Sequence, residues 1–362
     1  MAKRLLGKAE LEDIVRGAAL LSTISGVSRG LEMIKKIKNK VTLVDPADCP
    51  DSANAVAVAG VGGGRSPKAP ARIFQPKASM LAYEAMKNIT TVGGVNLDYL
   101  IPGEVGQTTL AMYLASENNV PVVDADNNGR NVPELATSLA PIYKIPTRPL
   151  VVANDAGDIL IAYLADPYDA AAAETVARNA AISAGGSAAF CTWIVNIATI
   201  KKCLVPYAVS KEEKIGKTIR EARASGKDAV KEVIALTGGK ELFRGKIQKT
   251  ERVGKEGFNF GRTVIEGIAH YKGKTFTIDI KNENMIAWQD GKPVIMVPDL
   301  ITMMTTDGEP LGNADAREGM EMVVVGIPAW EPWRRIPEGF GCWKHILGKM
   351  GYTGGYIPLE VE

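Results

Sequence analysis

Histidine is nearly missing from this chain: 362 residues carry only His270 and His345. A centre built on several imidazoles is thereby excluded, and His270, in the run Ala269-His270-Tyr271, reads as a structural residue at a strand end. Cysteine is scarce too. Cys49, Cys191, Cys203 and Cys342 include no close Cys pair of the kind metal knuckles use, so reduced cytosolic thiols are expected. Cys342 and His345, three positions apart, would supply only two ligands. Neither charge sign dominates, with 43 Lys and Arg against 41 Asp and Glu, which removes the electrostatic argument for nucleic acid. The lysines between Lys35 and Lys40 alternate with Ile34 and Ile37 and read as the solvated face of a helix over 28–38. Long apolar runs are absent as well. Even the stretch 180–200 is interrupted by Ser183, Gly185, Gly186 and Asn196, and no basic segment followed by an apolar one opens the chain. The expectation is a soluble, cytoplasmic protein with no membrane partner.

What is present is ordinary globular material, 46% hydrophobic and 23% charged, and long enough for two domains with cores of their own. Periodicity predicts helices over 10–21, 28–38, 79–87 and 108–117, and strands at 41–44, 53–61, 99–101 and 120–123. That alternation points to an α/β domain with a largely parallel sheet. The runs 150–153 and 159–163 flank Asn154-Asp155-Ala156-Gly157, a hairpin signal, and the alanine-rich run 170–184 predicts a helix. Helices over 211–224 and 228–236 follow, the second stopped by Gly238-Gly239. Beyond Leu242 the character changes to short β-type runs at 243–253, 262–271, 275–282, 285–287, 294–298 and 320–327. We therefore expect an α/β domain over 1–168 that carries the site, and helices followed by a β-rich α+β domain over 169–362.

The densest chemistry lies between Val120 and Glu134, where a β-branched run enters Asp124-Ala-Asp126-Asn127-Asn128-Gly129-Arg130-Asn131. If the extended backbone persists, Asp124 and Asp126 point to one face, and Pro133 and Glu134 open a helix capped by Asn131. In open α/β sheets the carboxyl ends of the strands are where ligands bind. The alternative is that Asp124, Asn127 and Asn128 only form the turn and Arg130 pairs with an acid. Glu104, in a loop ahead of the helix at 108, would act as a general base, hold a cation, or simply satisfy the helix start. Gln107 belongs to the same loop. The glycines from Gly60 through Gly62, Gly63 and Gly64 offer amides for an anion or an amide-bearing ligand, or form a tight turn. They lack a Walker Lys-Ser or Lys-Thr, Arg65 stands where a dinucleotide fingerprint needs glycine, and no Gly-x-Ser-x-Gly elbow occurs. Asn282-Glu283-Asn284 either projects into a cleft or makes a polar turn.

Taken in order, several phrases resemble the S-methyl thiohydantoin desulfurase family, long known as a domain of unknown function associated with hydantoinase and oxoprolinase genes. They are Val41-Thr-Leu-Val-Asp-Pro46, Pro121-Val-Val-Asp-Ala-Asp126, Gly129-Arg130 with Pro133-Glu134-Leu135, Gly185-Gly186-Ser187-Ala188, Leu242-Phe-Arg-Gly-Lys246, Asn282-Glu-Asn284 and Val297-Pro-Asp-Leu-Ile-Thr302. The chain departs from the pattern at Ser22-Thr-Ile-Ser-Gly-Val-Ser-Arg29 and at Glu104-Val-Gly-Gln-Thr-Thr109. The resemblance implies an amino-terminal α/β domain, a carboxy-terminal β-rich domain and a hydrolytic role on a small hydantoin-related ring, with a divalent metal ion as one option. The candidate catalytic residues are Asp124, Asp126 and Glu104; those for substrate binding are Gly62, Gly63, Gly64, Gln107, Asn127, Arg130 and Glu134. A carboxylate would activate water directly or through a hard cation, with Arg130 or loop amides stabilising the oxyanion. The competing expectation is a non-catalytic ligand-binding or accessory subunit of a hydantoinase-type system. Expected partners are a small-molecule substrate, further copies in a homo-oligomer and a hydantoinase-type protein.

Overall fold

The computed structural model describes residues 3–62 and 76–360. The chain opens with β1 (Lys3–Leu6), α1 (Lys8–Ser22), α2 (Val27–Ile34), β2 (Val41–Val44), β3 (Asn54–Gly62), α3 (Pro76–Val92), β4 (Tyr99–Pro102), α4 (Thr108–Asn118), β5 (Val122–Val123) and β6 (Ala125–Asp126). There follow α5 (Leu139–Ile142), β7 (Leu150–Ala153), β8 (Ile159–Ala162), α6 (Ala170–Ser183), β9 (Ser187–Asn196), α7 (Ile197–Cys203), β10 (Val205–Pro206), α8 (Ala208–Ala224) and α9 (Ala229–Thr237). Strands β11 (Lys240–Lys255), β12 (Phe258–Gly267), β13 (Thr275–Lys281), β14 (Glu283–Gln289), β15 (Lys292–Met296), β16 (Leu300–Thr305) and β17 (Glu321–Ile327) fill most of the remainder. Two compact units result. One takes the chain up to Leu11, Leu31–Ser210 and Gly254–Phe258, and the other takes Glu12–Gly30, Lys211–Val253 and the chain from Asn259 onward.

The first unit is built on an eight-stranded sheet in the order β1-β2-β5-β4-β3-β9-β7-β8. Its central strands β2, β5, β4 and β3 run parallel, while β1 and the trio β9, β7 and β8 join antiparallel. The α/β architecture is therefore mixed, with a parallel centre. Strands buried on both faces read as continuous apolar runs, and Val41, Leu43, Val44, Val56, Ala57, Val58, Leu100, Ile101, Val122 and Val123 are all buried. Because α3 returns the chain from β3 to β4 and α4 from β4 to β5, the carboxyl ends of these strands share one edge. Helix α4 stops at Asn119, whose left-handed φ of 52° lets its amide bond to Ala115 O.

The second unit carries a seven-stranded half-barrel sheet ordered β15-β14-β13-β12-β11-β17-β16. Inward residues Phe243, Ile247, Ile265, Phe276, Ile278 and Ile280 form its core, with the rings of Phe243 and Phe276 stacked 5.0 Å apart. In the same unit, the segments 12–22 of α1 and 211–224 of α8 meet at two glycines. A Cβ on Gly17 would lie 1.8 Å from Glu212 O, and one on Gly216 would lie 1.8 Å from Asp13 O, so only glycine permits this approach. Asp13 also takes a two-pronged bond from Arg220, Nε to Oδ1 at 2.9 Å and Nη2 to Oδ2 at 2.8 Å.

Several local expectations change. Helix α2 ends at Ile34, so the lysine run lies beyond it in turns closed by Lys36 N to Met33 O and Ile37 N to Ile34 O. His270 sits in a 3-10 turn, Ala269–Tyr271, rather than a strand end, because Ala269 takes a φ of 52° that breaks the ladder. Strands β1, β9 and β16 have no counterpart in the periodicity reading. β9 was hidden because its run Ala188-Ala189-Phe190-Cys191-Thr192-Trp193, buried on both faces, has no alternation to detect.

Candidate functional site

Two loops at the carboxyl edge of the parallel strands carry the candidate residues Glu104 and Asp124 to Glu134, both in the first unit. Strand β4 ends at Pro102, and the next residues, Gly103 and Glu104, lead into a 3-10 turn, Val105–Gln107. The second loop leaves β5 and β6 and runs to Glu134. Asn127 N donates to Pro102 O at 3.1 Å, and the Asn128 amide donates to Gly103 O at 2.8 Å, so the second loop is stitched to the end of β4.

Glu104 is held on both oxygens: Asn131 Nδ2 donates to Oε1 at 3.1 Å and Val132 N to Oε2 at 3.0 Å. The Gln107 side chain bonds it as well, and the Gln107 amide group lies within 4 Å of where a Gly60 Cβ would sit. Burial pushes the Glu104 carboxyl up to about 7, against the pull of the Val132 and Gln107 bonds. Asp126 has no exposed surface. Its Oδ1 accepts from Asn128 N at 2.7 Å and Gly129 N at 2.5 Å. Burial nevertheless raises Asp126 to about 8, with the two amides opposing and the nearby Glu104 charge adding to the rise. Two acids thus titrate around neutrality within one buried cluster, where coupled groups share their protons.

Asp124 belongs elsewhere. Its carboxylate accepts from Ser210 N at 2.9 Å and from the Ser210 hydroxyl, in the first turn of α8, and Tyr207 N donates to its backbone oxygen at 2.7 Å. The extended backbone breaks between β5 and β6, since Ala125 and Asp126 pair with Pro206 and Val205 instead of continuing β5. The two aspartates therefore serve different partners. Asn131 does not cap a helix. Its side chain is taken by Gly106 N at 2.7 Å and by Glu104, and the chain after it makes only a 3-10 turn, Leu135–Thr137, with Glu134 extended at φ −136°. Arg130 is buried, its Nε donating to Asn131 O at 3.0 Å. Gly62 ends β3, where a Cβ would stand 2.6 Å from Gly186 O, so its role in the structure is close strand pairing. Gly63 and Gly64 lie outside the described residues.

Helix α6 contributes a pair that the motif reading missed. Glu174 accepts from Leu135 N at 2.8 Å and forms an ion pair with Arg178, one turn on. Arg178 then donates to Gly62 O at 3.2 Å, Pro133 O at 2.9 Å and Gly257 O at 2.5 Å, with its guanidinium 3.7 Å from the centre of the Phe258 ring. The signal was available: in an alanine-rich helix, an acid and an arginine at i and i+4 share a buried face.

For a divalent cation the donor set does not fit. Among the described residues no three His, Cys, Asp or Glu side chains group closely enough to hold a metal ion. Asp126 already spends one oxygen on two amides, and both Glu104 oxygens accept hydrogen bonds.

The S-Me-THD-like N-terminal domain matches residues 9–163, and the S-Me-THD-like C-terminal domain matches residues 168–358. The chain belongs to the S-Me-THD-like family. Membership agrees with the resemblance to S-methyl thiohydantoin desulfurases carried by the Asp124 to Leu135 stretch. No curated protein matches this family member. A crystal structure of a protein from Chromobacterium violaceum is similar over 99% of this chain and 100% of its own, with a TM-score of 0.84 and 20% identity. At that identity the likeness concerns the fold. Among the described residues, no helix is long and apolar enough to cross a membrane.

Proposed function

We propose that this protein hydrolyses a small hydantoin- or thiohydantoin-like ring with carboxylate-activated water. One observation carries the reading: two buried carboxyl groups, Glu104 and Asp126, are raised to about 7 and about 8 at the carboxyl edge of a parallel sheet. Proton transfer is most effective when the group titrates near the working pH. Membership of the S-Me-THD-like family supports a thiohydantoin-related substrate class.

In this mechanism ionised Glu104 takes a proton from water as the water oxygen attacks the ring carbon. Protonated Asp126 then delivers a proton to the departing nitrogen or sulfur as its bond to that carbon breaks, so no net proton is gained or lost. The buried guanidinium of Arg130 offsets the negative charge that develops on the attacked carbonyl oxygen. Asp124 is tied to Ser210 and anchors the loop, and burial raises its carboxyl above the ordinary range against the pull of the Ser210 bonds.

The test is ring opening and thiol release from hydantoin, thiohydantoin and S-methyl thiohydantoin by purified protein. Glu104→Gln is expected to lower kcat by about a hundredfold or more with little change in melting temperature. Turnover that survives Glu104→Gln intact removes the general-base role.

A further inference from the structure

Three asparagines share the loop between Asp126 and Val132, and two of them are saturated. Asn128 takes Leu139 N on Oδ1 at 2.9 Å and gives its amide to Gly103 O at 2.8 Å. Asn131 takes Gly106 N at 2.7 Å and gives to Glu104 at 3.1 Å. Asn127 differs. It is 1% exposed, yet neither its Nδ2 nor its Oδ1 has a hydrogen-bond partner among the described residues. Its backbone is fixed, because Asn127 N donates to Pro102 O at the end of β4, two residues before Glu104. Among the described residues the preceding Asp126 likewise has Oδ2 buried without a partner, as does Ser138 Oγ, six positions beyond Val132.

Leaving a donor and an acceptor buried and unmade costs stability, so a rigid loop that keeps a whole carboxamide unmet calls for an explanation. A carboxamide offers one N–H donor beside one C=O acceptor, and its complement is a cis amide, in which N–H and C=O lie side by side. Hydantoin and thiohydantoin rings present such an edge. We infer that Asn127 is the residue that recognises the cis-amide edge of the ring: Oδ1 accepts from the ring N–H and Nδ2 donates to the neighbouring ring carbonyl. This rests on the hydrolytic reading for the position of the ring beside Glu104 and Asp126. It adds a substrate requirement, because a ring without an N–H leaves Oδ1 unmet in the complex, and buried polar groups left unpaired are what give such sites their selectivity.

Calorimetric titration of hydantoin and of 1,3-dimethylhydantoin, which lacks every N–H, tests the assignment. The titrations use a Glu104→Gln background, in which the ring is not consumed, and ring opening is followed in the parent. Hydantoin is expected to bind at least about tenfold more tightly than the dimethyl ring, and Asn127→Leu is expected to abolish most of that preference. Asn127→Asp is the second variant should the leucine protein fail to fold; it keeps an acceptor and loses the donor, and is expected to weaken hydantoin binding. Equal affinity for the two rings, or an undiminished preference in both Asn127 variants, overturns the inference. If the parent still opens hydantoin in that case, the hydrolytic reading stands without it. Selective binding that depends on Asn127, with no ring opening of any substrate, leaves recognition standing and removes the hydrolysis. Absence of hydantoin binding overturns both.

Discussion

Asn131 holds Glu104 and Gly106 with one carboxamide, its Nδ2 on Glu104 Oε1 at 3.1 Å and its Oδ1 on Gly106 N at 2.7 Å. The loop after β5 thereby positions the acid contributed by the loop after β4. Replacement by aspartate keeps an acceptor for Gly106 but sets a like charge against Glu104. The Asn131→Asp protein should fold, and its acid-side activity limb should move to higher pH, with a loss of roughly tenfold or more at pH 7. The pH dependence of kcat/KM measures both, and an unmoved limb would detach Asn131 from the control of Glu104.

The paired acids also fix the shape of that profile. The proposed mechanism needs Glu104 ionised and Asp126 protonated, so under it the rate should rise through an apparent value near 7 and fall through one near 8, giving a narrow bell whose limbs belong to the pair. A broad plateau from pH 5 to 9, measured with any turned-over ring, contradicts the assignment.

Stability follows the opposite branch of the same titration. The folded carboxyls bind protons more tightly than unfolded ones, whose ordinary value is about 4, so folding takes up protons between about pH 4 and pH 8. Their contribution is therefore intact below that window and declines as pH rises through it. Asp126→Asn keeps an oxygen for the Asn128 and Gly129 amides and cannot ionise. Its stability relative to the parent should grow from pH 5 to pH 8 in urea titrations, and a constant difference would contradict the raised value.

Arg178→Lys keeps the charge and loses the planar fork that reaches Gly62, Pro133 and Gly257 at once. A loss of about 2 kcal/mol or more is expected from unfolding curves, since carbonyls and Glu174 are left short of donors in a buried setting. A change within 0.5 kcal/mol, roughly the range of surface substitutions, would show the fork to be dispensable.

Gly17→Ala and Gly216→Ala each place a methyl group 1.8 Å from a carbonyl oxygen of the facing helix. Each should destabilise by about 3 kcal/mol or more, at the upper end of overpacking, because backbone cannot rotate aside as a side chain can. Thermal melting is sufficient to check it.

How far these features were legible in the sequence depended on the range of the interaction involved. Strands such as 41–44 and helices such as α4 and α6 declared themselves through local periodicity, and the strand-to-loop passage at 120–134 was legible as the end of a sheet strand. Asp126, Asn127 and Glu104 were legible as candidate chemistry, but their burial was not. Whether an aspartate meets Ser210, as Asp124 does, or amides two and three residues on, as Asp126 does, depends on where α8 begins in space, 84 positions later by residue number. The partition of Asn127, Asn128 and Asn131 into unmet and saturated amides likewise depends on Gly103, Gly106 and Leu139, which no spacing rule connects to them.

The position of β9 bears on how the protein can be made in pieces. It lies between β3 and β7 and pairs with both, yet follows them in sequence by more than thirty residues. A polypeptide released at Tyr163 would present two bare strand edges rich in valine and alanine, the arrangement that invites edge-to-edge aggregation. On the ribosome the same segment must wait for residues 187–196 before its sheet closes. Expression of the chain to Tyr163 alone should therefore yield insoluble material, and a fragment that closes this sheet must extend past Asn196.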